Sequence, residues 1–181
     1  MRLNLKKRNQ GFTIIEVLIV LAIAGLILAI VFLAVPQLQR NSRDNSRQNI
    51  VTRLKAELET YSSNNQGTYP FSGGTTAYQA CTSIATTQGC NDWFSRYISG
   101  KVKITDPSTG SDTNIFLGWN SSGAVPTGQS WGQGNIWIAV GAKCQGENIT
   151  TGTGAGSASA KQYATVVALD RENTFYCVDN G

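Results

Sequence analysis

The order of apolar and polar positions divides the chain into three. Residues 12–35 form an almost unbroken apolar run in which 17 of 24 positions are Phe, Ile, Leu or Val. As a helix rising about 1.5 Å per residue, this run reaches roughly 36 Å, enough to cross a hydrocarbon core of about 30 Å. After Pro36 the pattern turns amphipathic. Within 37–63, Val51, Leu54, Leu58 and Tyr61 repeat with helical period, and Leu38 lies near the same stripe. Arg40, Arg43, Arg47, Arg53, Lys55, Glu57 and Glu59 fall mostly on other faces, which predicts a solvated or subunit-facing charged surface. The polar stretch SSNNQGTYP at 62–70 then stops the helix, because Asn and Gly favour termination and Pro70 bars continuation.

From residue 64 the composition shifts to Gly, Ser and Thr with short apolar runs. Strands are expected at 114–119, 136–140, 164–169 and 174–178, with a weaker candidate at 101–105. The runs at 164–169 and 174–178 flank Asp170, Arg171, Glu172 and Asn173, so a C-terminal antiparallel hairpin is expected. Residues 145–162, which contain TGTGAGSASA, read as an exposed loop. The pattern supports an α+β fold: a long N-terminal helix packed by its C-terminal half on a small antiparallel β-sheet.

Charge refines the first third. The formal charge is +4, but Arg2, Lys6, Lys7 and Arg8 precede Gly11 with no acid among them. Beyond Gly11 the positives and negatives balance, so a polyanion-binding body does not follow from the basic pI. Four cations ahead of an apolar span argue for a cytoplasmic N-terminus and an exported remainder; Arg40, Arg43 and Arg47 weaken that bias without cancelling it. An ordinary cleaved secretory signal has a shorter apolar core followed by a small-residue cleavage site, which is not seen here. One acid interrupts the run. Leu, Ile, Phe and Val each favour insertion by about 0.3–0.6 kcal/mol, so the segment inserts despite Glu16, whose cost falls near the helix end.

A plain membrane anchor explains the length and the cations but neither the glycine at the boundary nor the acid. The sequence G-F-T-I-I-E at 11–16, followed by about twenty apolar residues, resembles the processing site of type IV prepilins and type II secretion pseudopilins. The likeness is close over residues 6–36 and loose over the following helix. It implies a pilin fold and a leader at 1–11 that a membrane-bound prepilin peptidase removes between Gly11 and Phe12. Phe12 then becomes the mature, commonly N-methylated, N-terminus, and Glu16 the fifth mature residue. Residues 12–36 become the membrane span and filament core, 37–63 an amphipathic helix running into the globular part, and 64–181 that part itself. The implied partners are further pilin subunits, the peptidase, an assembly platform in the membrane, lipid before assembly, and a host surface or DNA. The implied path leads from the cytoplasmic membrane to an extracellular filament.

Cleavage would place an ammonium at Phe12 four residues before Glu16. Either charge is costly when unpaired in hydrocarbon, and pairing removes both penalties. In the family the acid is thought to meet the amine of a neighbouring subunit, which makes the pair a registry device; an intramolecular i,i+4 bond is the competing reading. Gly25 and Pro36 cost about 1 and 3 kcal/mol in helix interiors. They read either as tolerated membrane-helix residues or as the bounds of a stretch that melts in the packed filament.

Four cysteines in an exported domain favour disulfides, and three pairings are open. We expect Cys81–Cys90, closing a short loop. We also expect Cys144–Cys177, which encloses the Gly/Ser-rich segment and resembles the cysteine-bounded region near the C-terminus of many pilins. Each closure is worth about 2.5–4 kcal/mol by chain entropy. A zinc site is the weaker reading, since the chain has no histidine and no C-x-x-C. No metal or other cofactor is expected.

Nor is catalysis, because without histidine the usual general base is missing and no nucleophile elbow or phosphate-cradling glycine loop occurs. Residues 106–112, DPSTGSD, place oxygens at alternate positions but lack the closing glutamate of a calcium loop, so a turn is favoured. The sequons at Asn120 and Asn148 are short enough to arise by chance. Trp93, Trp119, Trp131 and Trp137 read as sheet packing or an adhesive surface, with Trp119 and Trp137 assigned to the core. Lys101, Lys103, Lys143 and Lys161 form no aromatic-interleaved nucleic-acid motif. The expected function is a structural subunit of a type IV pilus serving adhesion, motility or DNA uptake. The alternatives are a minor pilin or pseudopilin and, more remotely, a monomeric membrane-anchored binding domain.

Overall fold

The structure is a computed structural model that describes residues 11–70, 78–81, 90–119, 134–151, 161–171 and 174–181. It divides at Gln39/Arg40 into two compact units. Helix α1, Ile14–Asn64, supplies the described part of the first unit and the opening element of the second. Its apolar segment is exposed throughout, from Ile14 at 82% to Leu33 at 81%, and among the described residues α1 is the helix long and apolar enough to cross a membrane.

The second unit holds the sheet. Strands β1 (Gln79–Cys81), β2 (Ile115–Trp119), β3 (Ile136–Val140), β6 (Tyr163–Ala168) and β7 (Phe175–Asp179) form one sheet in the order β1-β2-β3-β6-β7. Strands β4 (Ala142–Gln145) and β5 (Asn148–Thr151) pair separately. A single helical turn, α2 (Cys90–Trp93), leads into a π-helical turn at Phe94–Ile98.

Period-two alternation assigns the side chains to two faces. Ile115, Leu117, Ile136, Ile138, Val140, Tyr163 and Val167 join Val51, Leu54, Leu58 and Tyr61 of α1 in one core. Trp137, Ala139, Ala164 and Val166 face the other way, under Ala142 and Ile149 of the β4–β5 hairpin. Because both faces are covered, β3 and β6 are buried at every position and read as continuous apolar runs rather than alternating ones. The larger core fits the expected stripe on α1 at Val51, Leu54, Leu58 and Tyr61; Leu38 does not join it and is 65% exposed.

The α+β architecture holds, but the sheet is mixed rather than wholly antiparallel. Strands β2 and β3 run parallel, with Ile115 opposite Ile136 and Trp119 opposite Val140, while the other pairs in the sheet are antiparallel. The chain between them, residues 120–135, is long enough for the crossover that a parallel pair needs and too long for a tight hairpin. The weak candidate at 101–105 forms only an isolated bridge, Thr105 to Asp112. The C-terminal hairpin forms as expected, Ala168 opposite Phe175. The 145–162 loop reading is corrected, since 148–151 is a strand, paired back on β4 through a two-residue loop that begins with Gly146 at φ 63°. Residues 152–160 of that stretch lie outside the described residues.

Two covalent ties close the second unit. Cys81 is bonded to Cys90, and Cys144 of β4 to Cys177 of β7. The second tie holds the β4–β5 hairpin against the outer face of the sheet. Trp93 and Trp137 are buried, the latter stacked on Phe116 at 4.4 Å between ring centroids and meeting Tyr78 edge-on. Gly118 is needed for that arrangement, because a Cβ there would stand 2.8 Å from the Tyr78 ring. Trp131, Asn120 and the side chains of Trp119 and Asn148 lie outside what is described.

Candidate functional site

Two charged constellations sit on α1, one in each unit. The first is at the N-terminus. Thr13 precedes the first helical residue and Glu16 is the third residue of the helix. The Glu16 backbone N–H donates to Thr13 Oγ1 at 3.3 Å, and the Thr13 N–H donates to Glu16 Oε2 at 2.9 Å. The Thr13 hydroxyl donates to the same oxygen at 2.9 Å. This is a capping box, in which two otherwise unpaired helix-end donors are satisfied reciprocally. The T-x-x-E spacing carried that signal in the sequence, where attention to the acid alone overlooks Thr13. Glu16 in the single chain is therefore bonded to Thr13, within its own first turn. Phe12 stands just outside the helix, and Gly11 has no atom within 4 Å of the place a Cβ would occupy. Helix α1 continues through Gly25 and Pro36. The leader, 1–10, lies outside the described residues.

The second constellation corrects the reading of the charged stretch as a solvated or subunit-facing surface at Arg47, which is buried within the chain. Arg47 is 1% exposed, and Asp44 is 6% exposed. Arg47 Nε donates to Asp106 Oδ2 at 2.8 Å, Nη2 donates to Ser108 Oγ at 3.1 Å, and Nη1 pairs with Asp170. Arg43 shares Asp170 from the solvent side. Asp44 Oδ1 accepts the Asp170 N–H at 2.7 Å and lies 3.6 Å from Arg47 Nη1. The reason is positional: 44, 47, 51, 54 and 58 share one helical stripe, so the apolar spacing that fixes Val51, Leu54 and Leu58 also turns Asp44 and Arg47 inward. Nothing local foretold the partners, which come from the 106–112 turn and the β6–β7 turn.

These partners tune one another. Burial opposes the charge on Asp106, but hydrogen bonds from Arg47 and Ser108 outweigh it and hold the carboxyl down at about 2. Burial likewise opposes the charge on Asp170, and hydrogen bonds from Arg47 and Arg43 again win, lowering its pKa. The Arg47 guanidinium is desolvated yet raised in pKa by the same two carboxylates. The 106–112 segment is a turn: Asp106 N–H donates to the Ser111 carbonyl at 2.8 Å and Gly110 N–H to the Asp106 carbonyl at 2.9 Å. Its Asp106 carboxylate is engaged by Arg47 and by the Ser108 and Thr109 N–H groups. Gly134 passes so close that a Cβ would stand 2.8 Å from Asp106 Oδ2.

Farther along α1, Lys55 donates to the Asp179 carbonyl at 2.7 Å, and Glu59 accepts from Tyr163 at 2.9 Å and from Tyr69 at 3.1 Å. The charged residues of α1 thus clasp both ends of the β6–β7 hairpin. Lys101 is engaged by the Arg96 carbonyl and the Tyr97 ring.

Residues 6–32 match the family described as the prokaryotic N-terminal methylation motif. No curated protein and no solved structure matches the chain. The motif covers Lys6, Lys7, Arg8, Gly11, Phe12, the capping box and most of the apolar run, and with that run it fits a precursor anchored in a membrane. With this motif at its head and a long helix leading into a small mixed sheet, the chain resembles the type IV pilin-like proteins, pilins and pseudopilins.

Proposed function

We propose that the chain is a structural subunit of an extracellular type IV pilus, cut between Gly11 and Phe12, methylated on Phe12, and polymerised through α1. The observation that carries the reading is the methylation motif joined to a helix whose apolar stretch is exposed along its length among the described residues. Burying such a stretch against copies of itself removes it from lipid or water without any other protein. Subunits, the prepilin peptidase, a membrane assembly platform and lipid are the partners this reading requires.

Glu16 sets the register. On extraction from the membrane its carboxylate leaves the capping box, in whole or part, for the Phe12 ammonium of a neighbouring subunit, and only one axial offset pairs every such charge. Gly25 and Pro36 bound the stretch of α1 that loosens under packing. The cysteine-bounded C-terminal region, joined by Cys144–Cys177, favours a pilus subunit over a pseudopilin.

Glu16→Ala tests the register. The variant is expected to be processed and inserted like the wild type but to yield at most about a tenth of the sheared surface filaments, as losing one partner of a desolvated charge pair demands. Wild-type filament yield from Glu16→Ala overturns the registry role.

A further inference from the structure

The buried cluster on α1 is not electrically complete. Two guanidiniums, Arg43 and Arg47, face three carboxylates, Asp44, Asp106 and Asp170, which leaves one negative charge in excess. The shortfall is local to Asp44. Its Oδ1 takes the Asp170 N–H and the long contact to Arg47, while its Oδ2 accepts no hydrogen bond among the described residues. Asp44 also lines a cleft of about 350 Å³, together with Asn41, Asn45 and Gln48 of α1 and Leu169 and Arg171 of the β6–β7 turn. A carboxylate this deeply buried, with one oxygen open to a cleft lined by Asn41, Asn45, Gln48 and Thr174 as well as Leu169 and the exposed Arg171, is a receptor for a cationic side chain. Among the described residues no group of three or more His, Cys, Asp or Glu is arranged to hold a metal ion, so the geometry suits an organic cation.

We propose that this cleft receives the Arg40 guanidinium of a second copy of the chain, forming an inter-subunit ion pair with Asp44; the proposal rests on the polymeric reading above. Arg40 is exposed and makes no hydrogen bond or ion pair among the described residues. It lies one turn before Asp44, yet no Arg40–Asp44 bridge closes within the chain, where Arg47 and the Asp170 N–H already hold the near oxygen. Arg171 stands on the rim with its guanidinium donating to Asn41 Oδ1 at 3.3 Å. Being exposed, its repulsion of an incoming cation is screened, whereas the attraction of buried Asp44 is not.

The offset supplies the second reason. Phe12 and Glu16 are four residues apart in the sequence, and so are Arg40 and Asp44. A register that seats the Glu16 of one copy beside the Phe12 of its neighbour asks for the same four-residue offset as a register that seats Asp44 beside Arg40. The two pairs thus share one spacing in the sequence, and a second pair adds specificity where the first alone gives a single point of contact.

The test uses the full chain in cells that produce it, reading sheared filaments against subunit in the membrane. Arg40→Glu is expected to leave the membrane level unchanged and to lower filament yield by about tenfold, since it sets an acid against a buried acid. Arg40→Lys is expected to retain yield within about threefold, because it keeps the charge but not the fork. Adding Asn45→Lys, on the cleft wall, to Arg40→Glu is expected to restore filaments at least in part, by placing a cation beside Asp44 to meet the introduced acid. Unchanged yield from Arg40→Glu, or a loss that Asn45→Lys does not repair, overturns the proposal while wild-type filaments uphold the polymeric reading. Absence of filaments from the wild-type chain instead removes the polymer itself.

Discussion

The two stretches of α1 on either side of Arg40 bury opposite things. Before it, Phe, Ile, Leu and Val point outward along the whole exposed face, and the one acid is held by the first turn. After it, Asp44 and Arg47 are almost fully enclosed, and the exposed positions include Ser42, Asn45, Asn49, Thr52 and Thr60. A single helix thus follows two solvation rules. Where the surroundings are to be lipid or other helices, apolar side chains may face out and a charge must be tied locally. Where the surroundings are a folded body, apolar side chains turn in, and a charge may follow them only if partners from distant loops neutralise it. The difference lies in the source of the partner: a residue three positions away at Thr13, against Asp106 and Asp170 brought from far along the chain.

The largest expected effect breaks the body side of this contrast. Arg47→Met removes the common partner of Asp44, Asp106 and Asp170 and leaves buried charge uncompensated, so denaturant unfolding of the full chain in detergent should show a loss of about 3–5 kcal/mol. A loss under about 1 kcal/mol would mean that the cluster is solvated after all. Acid should act through the same residues. Both Asp106 and Asp170 have folded pKa values below their unfolded ones, Asp106 at about 2. Their contribution is therefore fully present above the unfolded range near about 4 and is lost as pH falls through the folded values. Melting temperature should change little through neutrality on their account and drop between about pH 4 and 2, more steeply than in Arg47→Met.

The smallest effect belongs to the N-terminal side. Thr13→Val removes the cap hydroxyl, worth about 1 kcal/mol at the helix start. Amide exchange at Ile14 to Val17 in micelles should quicken, while unfolding of the body stays unchanged. Protection equal to the wild type would show that Glu16 finds its partner elsewhere.

What could be read from the sequence follows the same divide. Periodicity placed the stripe Val51–Leu54–Leu58–Tyr61, the buried strand at 136–140 and the C-terminal hairpin, because each depends on side chains close in sequence. The methylation motif at 6–32 was legible for the same reason. The parallel pairing of β2 with β3 depends on a crossover, and no local pattern encodes its direction. Strands β4 and β5 escaped notice because Lys143, Gln145, Asn148 and Thr150 make them polar by composition, although the Gly146–Glu147 pair offered a two-residue turn. Arg47 was misassigned because a charge outweighed its place on the stripe. Its partners, Asp106 and Asp170, lie in turns whose approach to α1 only the fold determines.

A charged end created at Phe12 underlies the proposed register of Glu16 and, through it, the proposed pairing of Arg40 with Asp44. Intact-mass and N-terminal peptide spectrometry of filaments sheared from producing cells measures that directly. The expected chain begins at Phe12, carries one added methyl on its amine and retains two disulfides. A dominant filament species that still carries residues 1–11 would contradict the account.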